Sequence, residues 1–227
     1  IQSQLFGLSE LRSKAHNIMV EGITDVILMR TFFAEMFESG IQDAAQWGVG
    51  SFLSNQVGND HLKQLAIAAR DKDILMFLCD SEISTRGNQG AYNTAKKLLE
   101  ENILPLIGTL PLDGKQKVDP AQWVRDKRDL IKADPQKAWQ EYLQIVEQAK
   151  NPIEIALDKA TKRLEEKQNA SLSYRNKIKK GWIKEIMSLI TRLPELQQED
   201  YLEALTRPPF NCKLSKINRL MKSSHAL

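Results

Sequence analysis

The sequence predicts an α/β fold, a central, mostly parallel sheet flanked by helices, followed by an all-α helical part. Up to residue 130, short apolar runs too brief for helices alternate with longer segments of helical period, an order that builds a parallel sheet with right-handed crossovers. From Pro135 onward only helical patterns remain, separated by polar linkers at Lys150-Asn151-Pro152 and Arg207-Pro208-Pro209. Two of the predicted strands end in carboxylates, the arrangement that gathers ligands at the carboxyl edge of such a sheet.

Residues 3–15 read as an apolar lead-in and a helix capped at Ser9. Ile18 to Val20 is a short run, β-branched at both ends and broken by Gly22. Asp25 then stands just inside a helical pattern, Val26, Ile27, Met29, Phe32, Phe33, Met36 and Phe37, that closes at Ser39-Gly40. These large apolar residues form a core face. Ala44 to Ser51 reads as a brief strand running into a glycine turn, where Gly48 and Gly50 permit close approach of a phosphate to the backbone. Asn59 to Arg70 is a helix leading into the strand Ile74 to Cys79. After it, Ile83 to Gln89 reads as a loop above the strand tips, with Arg86 either simply exposed or leaning towards a phosphate. A helix around Gly90 to Lys97 and a strand over Ile103 to Pro111 follow. Asp119 before Pro120 reads as a helix cap with proline at the first position. Further helices are predicted over 135–146, 154–167, 172–192 and 197–205. In the third of these, Ile178, Trp182, Ile186, Leu189 and Ile190 make an inward stripe, and Arg175, Lys177, Lys179, Lys180 and Lys184 lie opposite. That basic run reads either as a solvated face or as a contact for single-stranded nucleic acid.

Composition bounds the function. The 227 residues are 42% hydrophobic and 27% charged, an ordinary globular balance, with room for one domain and a smaller second one. No apolar run approaches the ~20 residues needed to span a bilayer, and no signal peptide is evident, so the chain is expected in the cytoplasm with no membrane contact. Two cysteines far apart, Cys79 and Cys212, and three scattered histidines build no zinc module. Residues 1–150 hold 17 Lys and Arg against 20 Asp and Glu, and residues 151–227 hold 15 against 9. The positive charge therefore sits in the helical part.

The chemistry concentrates on two segments. Glu21 stands at the tip of the first strand with Asp25 about one helical turn further on, while Asp80 and Glu82 follow the Cys79 strand at i and i+2, aimed the same way from extended backbone. Taken singly, each pair also reads as solvated loop acids or helix caps. Together, on neighbouring strands, they make one anionic cluster of oxygen donors, which suits Mg²⁺ or Mn²⁺ and not zinc.

Glu21-Gly22-x-x-Asp25 followed by Asp80-x-Glu82 resembles the Toprim domain, shared by bacterial primases, type IA and type II topoisomerases and some nucleases. The usual second motif is Asp-x-Asp, and Glu82 here replaces its second acid. Leu5-Phe6-Gly7-Leu8 is similar to the Leu-Tyr-Gly-Leu segment ahead of the Toprim domain in bacterial-type primases. Leu110-Pro111 through Asp119-Pro120 resembles the closing primase motif Leu-Pro-x-Gly-Lys-Asp-Pro-Asp, with Asp119 matching its first late acid and Ala121 replacing the second. The long helix ending at Leu193-Pro194 resembles the primase helical subdomain.

This resemblance implies three parts: residues 1–16 as the end of a preceding subdomain, 17–130 as a Toprim catalytic domain and 131–227 as a helical subdomain. It implies primer synthesis on a single-stranded DNA template by nucleotidyl transfer from nucleoside triphosphates. Glu21, Asp25, Asp80 and Glu82 would be the catalytic acids, and Glu21, Asp80, Glu82 and Asp119 the ligands of Mg²⁺ or Mn²⁺. A replicative helicase is a possible further partner. The chain, opening on Ile1, is expected to be a piece of a larger protein and inactive in priming alone. A Toprim nuclease and a catalytically weakened Toprim scaffold are the alternatives.

Overall fold

A computed structural model describes residues 8–52, 59–81, 86–112 and 117–224. The chain divides into two compact units, Ile1–Ala149 and Lys150–Leu227. In the first, β1 (His16–Val20), β2 (Trp47–Ser51), β3 (Ile74–Cys79) and β4 (Leu106–Thr109) form one all-parallel sheet in the order β2-β1-β3-β4. The crossovers are α2 (Ile23–Glu38), α3 (Asn59–Ala69) and α4 (Arg86–Leu98), and α1 (Leu8–Ser13) precedes β1. An α/β fold with a parallel sheet followed by helices is thus what the alternation of short and long apolar patterns produces.

The position of β1 and β3 at the centre explains their composition. Strands paired on both sides and covered on both faces cannot alternate with polar residues, and Ile18, Met19, Val20, Met76, Phe77 and Leu78 are all buried. One face of the sheet is closed by an aromatic nest. Phe32 and Phe33 of α2 meet Trp47 of β2, Trp123 of α5 (Pro120–Asp126), and Trp139 and Tyr142 of α7 (Pro135–Glu147), with Trp47 and Tyr142 ring centroids 5.1 Å apart. Offset and edge-on aromatic pairs of this kind add packing energy beyond their buried area. Because α7 docks here, the sheet-bearing unit runs to Ala149, beyond the boundary expected at 130, and takes α6 (Arg128–Ala133) with it.

Several local expectations differ from the structure. Gly48 and Gly50 lie within β2 and not in a turn. Gly48 pairs with Asn17, and a β-carbon there would meet Asn17 Oδ1 at 2.7 Å and the Lys14 side chain at 3.1 Å. Strand packing alone therefore requires glycine at this position. Ser9 is inside α1 and does not cap it, β4 begins only after Pro105, and the helix expected near Gly90 already starts at Arg86. Leu5, Phe6 and Gly7 of the lead-in lie outside the described residues, as do 82–85. Cys79 and Cys212 are free, buried thiols, as their isolation in sequence implies.

The second unit contains α8 (Pro152–Glu166), α9 (Leu172–Ile190), α10 (Glu195–Thr206) and α11 (Leu214–Ser224), the last not foreseen from the pattern. Asn151 starts α8 as a capping box. Its Oδ1 accepts from the Ile153 and Glu154 amides at 3.0 and 3.1 Å, the Asn151 amide donates to Glu154 Oε2 at 2.8 Å, and Asn151 Nδ2 donates to Tyr201 Oη at 2.7 Å. The stripe on α9 is buried only in its second half, through Ile183, Ile186, Met187, Leu189 and Ile190. Ile178 and Trp182 stay partly exposed because Lys159, Lys162, Arg163 and Glu166 of α8 stand opposite them and line a cleft instead of filling it. Among the described residues, no helix is long and apolar enough to cross a membrane.

Candidate functional site

Parallel pairing of β1 with β3 brings two acid-tipped strands to one edge. Met19 stands opposite Phe77, and continuing that register by two residues sets Glu21 beside Cys79, one residue short of Asp80. The Glu21 backbone is fixed by Ser51 Oγ, which donates to its carbonyl at 2.8 Å. The Asp80 carbonyl accepts from buried Asn88 Nδ2 of α4 at 3.2 Å. Asp80 is itself buried, at 9% exposure.

A strap crosses this edge. The Ser81 amide donates to the Val118 carbonyl at 2.9 Å, and the Val118 amide donates back to Ser81 Oγ at 2.8 Å. This two-bond clamp delivers the residues on either side of Val118. The Lys117 ammonium lies 2.7 Å from Asp80 Oδ2. Asp119 caps α5, its Oδ1 accepting from the Gln122 amide at 2.6 Å, so the cap expected from Asp119-Pro120 is formed.

Asp25 braces two helix starts. Its Oδ2 accepts from the Gly22 amide at 3.0 Å at the head of α2, and its Oδ1 accepts from the Ala121 amide at 3.1 Å at the head of α5. The residue that replaces an expected late acid therefore contributes its backbone N–H to an earlier one. Burial pushes the Asp25 carboxyl above its ordinary value against the pull of those two N–H donors, and the charges of Asp119 and Asp80 push it further. The Cys79 thiol is likewise pushed up to about 12, first by burial and then by the Asp80 and Glu21 carboxylates. Asp25 thus feels Asp119 and Asp80, and Cys79 feels Asp80 and Glu21, so the four acids share one electrostatic neighbourhood at the carboxyl edge of the sheet.

Of the expected site residues, Glu21 and Asp80 follow adjacent strand ends, Asp25 and Asp119 lie within electrostatic reach of that edge, and Glu82 lies outside the described residues. Their chemistry fits a hard divalent cation, since every donor is a carboxylate oxygen. Among the described residues, however, no three side chains form a ready metal-holding group. Lys117, Ser81 and Asn88 are the additions made by the structure. Lys117 could have been suspected only as a cation two residues before Asp119, while Ser81 and Asn88 carry no sequence signal separable from loop and helix-cap polarity.

The sequence matches no protein-family model and no curated protein. By structure, the chain is similar to an Aquifex aeolicus primase described as comprising zinc-binding and RNA polymerase domains, with a TM-score of 0.52 at 11% identity, over 93% of this chain and 41% of that one. The chain therefore spans less than half of its structural neighbour, and what the two share is the fold.

Proposed function

We propose that this chain is the Toprim catalytic portion, with its helical subdomain, of a DNA primase that makes short RNA primers on single-stranded DNA by metal-dependent nucleotidyl transfer. The observation that carries this reading is the parallel pairing that sets Glu21 beside Cys79 and Asp80 at the carboxyl ends of β1 and β3, with Asp25 and Asp119 close enough for their charges to be felt there, in a fold similar to that of a primase. Asp80 and Glu82 would hold Mg²⁺ or Mn²⁺, assisted by Glu21 and Asp119. When bound, the ion supplies charge neutralisation at the triphosphate and a more acidic attacking 3′-hydroxyl.

The chain's own residues do the positioning. Ser51 and Asn88 fix the backbone at Glu21 and Asp80. Ser81 holds the strap that carries Lys117 and Asp119, and Asp25 ties the heads of α2 and α5 together. Lys117 balances the Asp80 charge and is the group a cation would displace. The same ion pair favours a second reading, a catalytically weakened Toprim scaffold in a replication protein, because an ammonium can substitute for a metal in neutralising the cluster.

Calorimetric titration with Mg²⁺ and Mn²⁺ decides between them. The polymerase reading expects binding at millimolar concentrations that Asp80→Asn abolishes. Absence of heat in the unmodified chain would leave only the scaffold. Cleavage of DNA by the chain with metal alone, without triphosphates, would instead identify a Toprim nuclease.

A further inference from the structure

In the second unit, α8 and α9 do not close against each other along their whole length. Between them lies a cleft of about 840 Å³ lined by Lys159, Lys162 and Arg163 from one helix and Tyr174, Lys177 and Trp182 from the other. Glu166 and Glu185 also line it, with Glu166 3.3 Å from Arg163, so the lining keeps a surplus of two positive charges. A second cleft of about 760 Å³ shares Lys177 and adds Lys179, Lys180 and Lys216 without any acid. Positive charge thus continues around the same end of α9.

Two features separate this cleft from an ordinary solvated helix face. Tyr174 is 47% exposed and Trp182 is partly exposed. They stand eight residues apart on α9, about 12 Å along its axis, with Lys177 and Gly181 between them on the same side. Gly181 is the second feature. It lies in the interior of a 19-residue helix, where glycine weakens the helix, yet a β-carbon there would meet nothing within 4 Å. Packing within the chain does not require the absence of a side chain. It does leave the floor of the cleft open to a flat ligand between the two aromatic rings.

We infer that this cleft is a binding site for single-stranded nucleic acid, with bases stacked on Tyr174 and Trp182 and phosphates paired with Lys159, Lys162, Arg163 and Lys177. Partly exposed aromatic side chains interleaved with cations suit a strand whose bases are unpaired, whereas an acidic peptide has no use for the rings and a duplex hides its base faces. The site lies wholly within the second unit and requires neither metal nor triphosphate, so it stands apart from the catalytic reading.

The test uses the whole chain without divalent ions and a short oligothymidylate as probe, followed by tryptophan fluorescence and by anisotropy of a labelled strand. Trp47, Trp123 and Trp139 are buried, so quenching by the bases reports Trp182. The expected result is quenching on binding, with affinity about tenfold weaker in Tyr174→Ala and in Trp182→Ala, since stacking is worth about that much per base. Lys177→Gln should shallow the logarithmic salt dependence by about 0.7, the loss of one phosphate contact on a single strand. Gly181→Leu is the decisive variant, because it fills the cleft while favouring the helix. It should unfold no earlier than the parent and bind at least tenfold more weakly. Unchanged binding in Gly181→Leu, equal binding of polyglutamate, equal binding of duplex, or no binding at low salt would each overturn the inference.

Discussion

The Lys117 ammonium stands 2.7 Å from Asp80 Oδ2, with the aspartate side chain only 12% exposed and the lysine side chain 47% exposed. A buried carboxylate paired with a half-solvated cation is a replaceable pair, since the lysine side chain already reaches water while the aspartate does not. A divalent ion arriving at Asp80 must therefore displace Lys117 or share the carboxylate with it. In Lys117→Met the competing charge is gone while the aliphatic stem remains. The variant should bind Mg²⁺ about two- to fivefold more tightly, as expected for loss of a partly exposed ion pair, and calorimetry reads the change directly. Weaker Mg²⁺ binding would mean that Lys117 holds the site in shape and does not compete for it.

The Ser81 hydroxyl is the only acceptor found for the Val118 amide among the described residues, at 2.8 Å, and Val118 is 4% exposed. Ser81→Ala leaves that N–H buried and unpaired. The loss should be about 1–3 kcal/mol, measured as a lower urea midpoint at unchanged slope. Because the same bond sets the strap on which Lys117 and Asp119 are carried, metal affinity should fall as well, although Ser81 itself offers no ligand in this reading.

These two cases show what was legible beforehand. Glu21 and Asp80 could be read as neighbours because strand ends follow from short apolar runs, and the order strand, helix, strand fixes which edge their tips share. Lys117 and Ser81 could not be, because the strap that joins them is irregular backbone and irregular backbone has no period. Asp119 was open between cap and ligand, and the structure fills the cap without deciding the second role. The reach of the sheet-bearing unit to Ala149 was not legible for a different reason. Trp139 and Tyr142 mark α7 as amphipathic, but nothing in a helical stripe states which surface it covers, and here that surface is the aromatic face over β2. The stripe on α9 erred in the opposite sense, since Trp182 fits the apolar period and still borders a cleft.

Tyr142 lies at the centre of that aromatic nest, fully buried, and its hydroxyl finds no hydrogen-bond partner among the described residues. Burial drives its ionisation well above the ordinary tyrosine range. A buried hydroxyl without a partner is a loss relative to water, so Tyr142→Phe should preserve the ring contacts to Phe33 and Trp47 and remove the unsatisfied group. The variant is expected to be as stable as the parent or more stable by about 1 kcal/mol. A destabilisation of that size in thermal and urea unfolding would reveal a buried partner, water included, for the hydroxyl.

Asp25 gives the pH dependence of the site. Its carboxyl is raised above 3.8 in the folded chain, with burial the largest cause and the Asp119 and Asp80 charges smaller ones. A raised acid binds its proton more tightly when folded than when unfolded. Its ionised form therefore opposes folding at neutral pH, and that opposition is relieved as pH falls through the folded value towards 3.8. Carboxyl-carbon NMR should show the Asp25 midpoint above the ordinary aspartate value. In Asp119→Asn, which retains a good cap for α5, the midpoint should fall without reaching 3.8, because burial persists. Adding Mg²⁺ should lower it as well, since a nearby cation favours the carboxylate. A midpoint that ignores both Asp119→Asn and Mg²⁺ would mean that the four acids do not act as one cluster, and the proposed cation site would fail with it.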